Sequence, residues 1–410
     1  MAFDAEIARK RFPALERTME GLPCVFADAP AGTQVADAVI EAMAEYLRRS
    51  NANSGGAFAT SVETDETIAS ARGAAADLLG CDPGQVVFGP NMTTLSMAFS
   101  RAIARDLGPE DEIVVTMLDH DANIAPWLLA AEDTGATVRW ADLREEDCTL
   151  DLESLERALG PRTRVVAVTL ASNAVGSVTP LEEVVSMVRE RTPGAILVGD
   201  AVHLAPHRPL DAGPLDVVFC SPYKFFGPHL GIMVAKRELL ERLRPYKVRP
   251  APDESPDRWE IGTQSHEALA GLMAAIGYLG GLVDGEGRPG VVRAMEAIRE
   301  YEAALSARFL EGIAQVPGVR LHGIADPARA SERTPTFAVR VGGQHPRRTA
   351  EELGRRGVFV WDGNYYALAV MERLGLEASG GAVRIGFCHY HTEDEVDRVL
   401  DEVATVARAP

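Results

Sequence analysis

An amine and a carboxylate delivered to the same edge of one sheet make a candidate reactive site, and this chain carries such a pair. The apolar run Ala195–Val198 stops at Gly199-Asp200, with His203 just beyond. The run Leu215–Cys220 stops at Ser221-Pro222-Tyr223-Lys224, before the breaker Gly227-Pro228. Short apolar runs bounded by turn signals read as buried strands of a parallel sheet. Ligands of open α/β sheets sit beyond the carboxyl ends of the strands. Three more strand ends add polar residues to that edge: Thr93 and Thr94 after QVVFGPNM, His120 after EIVVTMLD, and Asn173 after RVVAVTLAS.

A lysine at a strand end can form a Schiff base with an aldehyde cofactor, and burial lowers its pKa enough to make the amine nucleophilic. An aspartate opposite a pyridine nitrogen keeps that ring protonated and electron-withdrawing. A histidine can stack on the ring, an asparagine can donate to its phenolic oxygen, and hydroxyls near a helix start can hold a phosphate. The set matches pyridoxal 5′-phosphate (PLP).

The elements that must position these residues follow from the pattern. From Gln85 on, strand, turn and helix alternate, which implies a mostly parallel sheet covered on both faces. Helices are expected over Gln34–Arg49, Glu63–Leu79 and about Leu95–Asp106, with SNANSGGAF a loop. Thr179-Pro180-Leu181-Glu182 has the form of a capping box, with Thr179 as N-cap. After Leu243 a Pro- and charge-rich linker leads to a small-residue helix, a long helix over Val291–Ile313, and a strand–helix–strand–strand–helix end. The expected division is a large α/β domain over 20–245 and a smaller α+β domain from 1–19 and 246–410.

Bulk properties narrow the function classes. A net charge of −19 argues against a nucleic-acid or anionic-membrane surface. The five cysteines are scattered with no CxxC pair, and the histidines show no ligand spacing, so neither a disulfide framework nor a metal site is expected. No apolar run approaches the roughly 18 residues of a membrane span, and the N-terminus has no signal core. A cytoplasmic protein is the expectation.

Read by motif, the chain resembles the class V aminotransferase group of fold-type I PLP enzymes, most closely the cysteine desulfurase and selenocysteine lyase branch. The resemblance covers nearly the whole chain, from FPALE to the last helix. DHDANIAPW is similar to the segment bearing the ring-stacking histidine, here His120. SNAVGSVTP resembles the one whose asparagine, here Asn173, touches the cofactor oxygen. GDAVH resembles an Asp-x-x-Gln, giving Asp200 as pyridinium partner and His203 where those enzymes have glutamine. SPYKFFGP resembles a Ser-x-His-Lys, giving Lys224 as the Schiff-base lysine, Ser221 as a phosphate ligand and Tyr223 in place of histidine. WEIGTQ is similar to the segment whose threonine, here Thr263, reaches the phosphate of the neighbouring subunit. That implies a homodimer with shared sites. AVRIGF resembles the strand whose arginine, here Arg384, grips the α-carboxylate of an amino-acid substrate.

One departure bears on activity. Desulfurases carry a persulfide-forming cysteine on a C-terminal loop, and in WDGNYYALAV that position is Tyr366. A phenol cannot accept sulfane sulfur as a thiolate can. The resemblance implies a PLP-dependent lyase cleaving a C–S bond of a cysteine-like or β-substituted L-amino acid, with Lys224, His120 and Asp200 catalytic and Tyr366 in the substrate pocket. Alternative readings are an aminotransferase, a kynureninase-like C–C cleavage suggested by His203 and Tyr223, and a non-catalytic PLP-binding or sulfur-carrier partner.

Overall fold

The structure, a computed structural model, describes residues 3–408. A small hairpin, β1 (Thr18–Met19) and β2 (Leu22–Pro23), precedes the main body. The large sheet has seven strands: β3 (Val86–Gly89), β4 (Glu112–Thr116), β5 (Thr137–Ala141), β6 (Thr163–Thr169), β7 (Ile196–Asp200), β8 (Val217–Cys220) and β9 (Gly231–Ala235). Their order is β3-β9-β8-β7-β6-β4-β5, and only β9 runs antiparallel to its neighbours. The second sheet is antiparallel, with β10 (Val319–His322), β11 (Thr336–Val341), β12 (Trp361–Gly363) and β13 (Ala382–Gly386) in the order β10-β11-β13-β12. This is the fold-type I architecture of PLP enzymes, a large mostly parallel α/β body with a smaller C-terminal α+β unit.

The near-continuous valine runs of the inner strands follow from burial on both faces. In β6, Val166 and Val168 enter one core while Val165 and Ala167 enter the other, as the two-residue strand period requires. Helices Asp37–Arg49, Ala59–Leu79 and His266–Gly280 close the first core, whereas Met92–Ala104 and Ala125–Thr134 close the second. A third core lies under the small sheet. There Val396, Val399, Val403 and Val406 form the buried stripe of helix Glu393–Arg408 against Phe309, Phe337 and Ile385.

Residue 245 falls in a stretch, 244–256, without helix or strand. Beyond it, Leu269, Leu272, Ala275 and Leu279 pack in the same core as Val39 and Ala71, so the large body draws on residues from both sides of that stretch. Arg9, near the start, reaches the last helix through a two-pronged bond to Glu395 at 2.7 Å.

The expected capping box at Thr179 does not form. Helix Leu181–Arg191 has Pro180 at its N-cap position, and the Thr179 hydroxyl instead donates to the Thr169 carbonyl at 2.5 Å, tying the turn to the end of β6. Among the described residues no helix is long and apolar enough to cross a membrane.

Candidate functional site

The carboxyl ends of β4, β6, β7 and β8 open on one cavity. Thr93, His120, Asn173, Asp200, His203, Ser221, Tyr223 and Lys224 all line it, together with Asn91 and Thr169. A wider mouth adjoins it, sharing Thr93, His120, Asn173, Tyr223 and Lys224 and adding Trp361, Tyr365, Tyr366 and Arg384. Strand ends of the large sheet thus supply the floor, and the small sheet and its β12 loop supply the outer wall.

Lys224 ends a short 3-10 turn, Pro222–Lys224, and its Nζ donates to the Pro30 carbonyl. Burial, reinforced by the nearby Arg384 charge, lowers the amine from 10.5 to about 7, against the opposing pull of Asp200 and Asp28. Asp200, at the end of β7, is raised to about 6 by burial, although it accepts a 2.8 Å bond from the Val202 N–H and feels Lys224. Arg384 on β13 is buried too and is lowered to about 10 by desolvation. Its Nη1 donates to the Asn173 carbonyl at 2.9 Å, and its guanidinium lies 4.5 Å from the Tyr365 ring centre.

His120 opens the turn Asp121–Asn123, and its Nδ1 accepts from the Ala122 N–H at 3.0 Å. With Nδ1 an acceptor, the ring proton sits on Nε2. Burial, with smaller contributions from Lys224 and Arg384, lowers the imidazole to about 4. The ring is neutral at physiological pH. Tyr366 stacks beside it at 5.6 Å and 26°, and the Tyr366 carbonyl accepts from the Asp121 N–H at 2.7 Å. Tyr365 and Tyr366 both adopt left-handed backbone, at φ of 53° and 58°. Such conformations cost roughly 1–3 kcal/mol each in non-glycine residues and persist where surrounding contacts enforce them. The pair splits the chain's direction. Tyr365 turns inward, 8% exposed, under Arg384, while Tyr366 turns outward, 73% exposed, over His120.

The other expected residues divide. Asn173 donates one amide proton to the Tyr365 carbonyl at 2.9 Å and retains a second for the cavity. His203 lines the cavity, but its Nε2 is bonded to the Thr336 hydroxyl at 2.9 Å, and burial holds it well below the usual imidazole range. Tyr223 stacks on His229 at 4.9 Å and 9°. Thr93 faces the cavity from the first turn of Met92–Ala104. Thr94 does not. Its N–H is capped by the Asn91 side chain at 2.8 Å, and it lines a neighbouring surface cavity with Thr263. Within one chain, Thr263 therefore stands apart from Lys224.

Three residues escaped the sequence reading. Asn91 caps the helix that presents Thr93, and an asparagine just before that helix was a readable signal. Asp119 is wholly buried, raised to about 8 by desolvation, and bonded to Thr116 and to Asn123, which stiffens the turn carrying His120. Asp28 is raised to about 6 by burial while Arg384 and Lys224 pull it down. Nothing local in FADAPAG marks it.

The residues present fit PLP. One cavity holds a near-neutral lysine amine, a strand-end carboxylate, a neutral imidazole, an amide with a free proton, the Thr93 hydroxyl at a helix start and the Ser221 hydroxyl. Fold and site together define a fold-type I PLP enzyme class. Residues 25–399 match the family model for aminotransferase class-V. The chain is 31% identical over 420 residues to a probable cysteine desulfurase of Streptomyces coelicolor, covering 97% of this chain and 96% of that protein. It is 30% identical over 411 residues to the aminotransferase-like protein FGM3 of Gibberella zeae, covering 97% of each. Its fold matches a cysteine desulfurase of Thermococcus onnurineus with a TM-score of 0.88 at 25% identity, over 100% of this chain and 99% of that one. The chain belongs to the class-V aminotransferase family.

Proposed function

We propose that this chain is a PLP-dependent lyase that breaks the C–S bond of a cysteine-like or β-substituted L-amino acid, with Lys224 as the lysine that joins the cofactor. One observation carries the reading: a buried amine of near-neutral pKa shares a cavity system with a strand-end carboxylate and with an arginine facing the mouth. The relatives named as cysteine desulfurases support the choice of bond.

In this reading Asp200 would pair with the ring nitrogen, His120 would cover the ring face, and Asn173 would donate to the phenolic oxygen. Thr93, Ser221 and the first turn of Met92–Ala104 would hold the phosphate, with His203 and Tyr223 lining the same cavity. Thr94 and Thr263 lie on a cavity open to the outside, where Thr263 would serve the neighbouring copy of a homodimer. Bound there, PLP supplies an aldehyde for amines and a ring that accepts electron density from the α-carbon.

The substrate's α-carboxylate docks on Arg384, whose Nε and Nη2 offer the paired donors a planar carboxylate prefers. Docking cancels part of the Arg384 charge that depresses Lys224, so the amine gains basicity when a carboxylate is seated. Once the substrate's amine has taken its place on the cofactor's aldehyde, the freed Lys224 would take the α-proton, a task suited to a base near neutrality. The Cβ–S electron pair leaves with sulfur, which takes up a proton, and hydrolysis of the released enamine gives pyruvate and ammonia. Among the described residues no cysteine lines either cavity. Burial also raises the Cys81, Cys148, Cys220 and Cys388 thiols. The sulfur therefore departs on its own substituent and forms no loop persulfide.

The test is a product assay with PLP-loaded protein, L-cysteine, S-substituted cysteines and other amino acids, read by mass spectrometry. Pyruvate with ammonia and a released thiol is the expected result. A keto acid with no bond cleaved at Cβ would make the chain an aminotransferase, and alanine formed alongside an aromatic acid would make it a C–C lyase. Borohydride reduction should fix the cofactor to the Lys224 peptide in wild type and leave Lys224→Ala unlabelled.

A further inference from the structure

The segment 25–31 runs between the two sheets without belonging to either. A parallel bridge joins Asp28 to Gly386 on β13, the strand that carries Arg384, and the Gly386 N–H donates to the Ala27 carbonyl at 2.8 Å. Close by, the Pro30 carbonyl accepts from Lys224. One short stretch thus touches the arginine's strand on one side and the lysine's amine on the other. Asp28 also closes this stretch into a turn, its own carbonyl accepting from the Ala31 N–H at 2.8 Å.

Its side chain has an unusual status. Asp28 Oδ1 is buried and has no hydrogen-bond partner among the described residues. A buried carboxylate oxygen without a donor is destabilising unless nearby charge compensates it. A backbone hydrogen bond at Asp28 itself favours its ionised form most, and the Arg384 and Lys224 charges add to it. The relation is mutual, because Asp28 raises Lys224 whereas Arg384 lowers it.

We infer that Asp28 is a positioning residue, a fixed counter-charge that holds Arg384 and Lys224 together as two buried cations of one site. The inference rests on the reading of Lys224 as the cofactor's lysine and Arg384 as the carboxylate anchor. Without Asp28, Asp200 is the remaining carboxylate acting on the Lys224 amine. The groups bearing on Lys224 are then Arg384, which lowers it, and Asp200, which raises it. Asp28 therefore sets how readily the amine holds a proton before a substrate carboxylate arrives to do the same from the Arg384 side. With its pKa at about 6, Asp28 carries its charge over the upper part of the range in which Lys224, at about 7, titrates.

The experiment follows acylation of the Lys224 amine against pH in cofactor-free full-length protein, read peptide by peptide by mass spectrometry. Wild type, Asp28→Asn, Asp28→Ser and Asp28→Glu are compared. Asp28→Asn and Asp28→Ser are expected to lower the labelling midpoint by about one pH unit, the usual effect of losing a nearby opposite charge. Asp28→Glu, which keeps the charge, should return it to within about half a unit of wild type. Two neutral variants guard against one that fails to fold, and the Glu variant separates charge from packing. A midpoint unmoved in either folded neutral variant overturns the inference, as does a shift that Asp28→Glu shares in full. Borohydride attachment of the cofactor at a lysine other than Lys224 would overturn the reading of the site itself. Attachment at Lys224 with an unmoved midpoint would overturn Asp28's role alone.

Discussion

An amine that is buried and half-neutral weakens the fold that holds it by an amount its pKa sets. Lys224 has a pKa of about 7 in the folded chain against 10.5 when unperturbed. The unfolded state therefore binds more protons between these values, and stability rises with pH across that window. The penalty is fully present below about pH 7, amounts to about 4 kcal/mol at pH 7, and falls to about 1.5 kcal/mol at pH 9.5. Lys224→Met removes it while filling much the same volume. The variant also abandons the Pro30 carbonyl, which accepts from Lys224; an unmade buried bond costs about 1–2 kcal/mol. The net expectation for cofactor-free protein is a gain of about 2–3 kcal/mol at pH 7 that shrinks to near zero at pH 9.5. Urea titrations of both proteins at the two pH values measure this, provided the slopes agree so that midpoints report stability. A difference that does not change with pH, or a destabilised variant at pH 7, would refute the account of Lys224 as a desolvated amine.

Three further outcomes follow from the geometry. Tyr366→Phe should leave turnover within about twofold, because the ring and the backbone carbonyl make its contacts with His120 and Asp121. Tyr366→Ala should lower kcat/KM by about 2–10-fold, the worth of a stacked pair, and equal losses in both would mean that the hydroxyl acts chemically. His120→Gln should slow turnover yet leave the limbs of the pH–rate profile where they were, since burial already keeps that imidazole near 4; a limb that vanished would mean His120 titrates in the working range. At Gly231 a Cβ would meet the Asn91 carbonyl carbon at 2.3 Å, in the cap of the helix that presents Thr93. Gly231→Ala is expected to destabilise by about 1–3 kcal/mol and weaken cofactor retention in dialysis, and wild-type behaviour in both would contradict that packing.

The floor of the site was legible because buried parallel strands announce themselves as valine runs, and the residues just past those runs share one edge by topology. Asp200, Ser221, Lys224, His120 and Asn173 were all found that way, and all line the cavity. The same rule cannot give strand direction, so GIMVA did not show itself as β9, the antiparallel member between β3 and β8. It also passed over β5, whose TVRWA is half exposed at the sheet edge and lacks a continuous apolar run. At Thr179 the pattern of a capping box was present, but a buried carbonyl at the end of β6 competed for the hydroxyl and won it.

What lay beyond local reading is the outer wall, and the reason is distance along the chain. Lys224 meets a carbonyl 194 positions away, and Asn173 meets one 192 positions away. The left-handed tyrosines are only partly visible to pattern: Asn364 accepts from the Tyr366 N–H at 3.1 Å, a local turn contact, but the bonds to both tyrosine carbonyls come from Asn173 and Asp121, far upstream. The two sets of residues divide the labour. Strand ends of the large sheet supply the floor of the cavity. Segments brought in from Asp28, from the β12 loop and from β13 set the charge on Lys224 and the shape of the mouth. Arg384 and Tyr366 both line that mouth, so the floor of the cavity is readable from local sequence, while its outer wall exists only once the chain has folded.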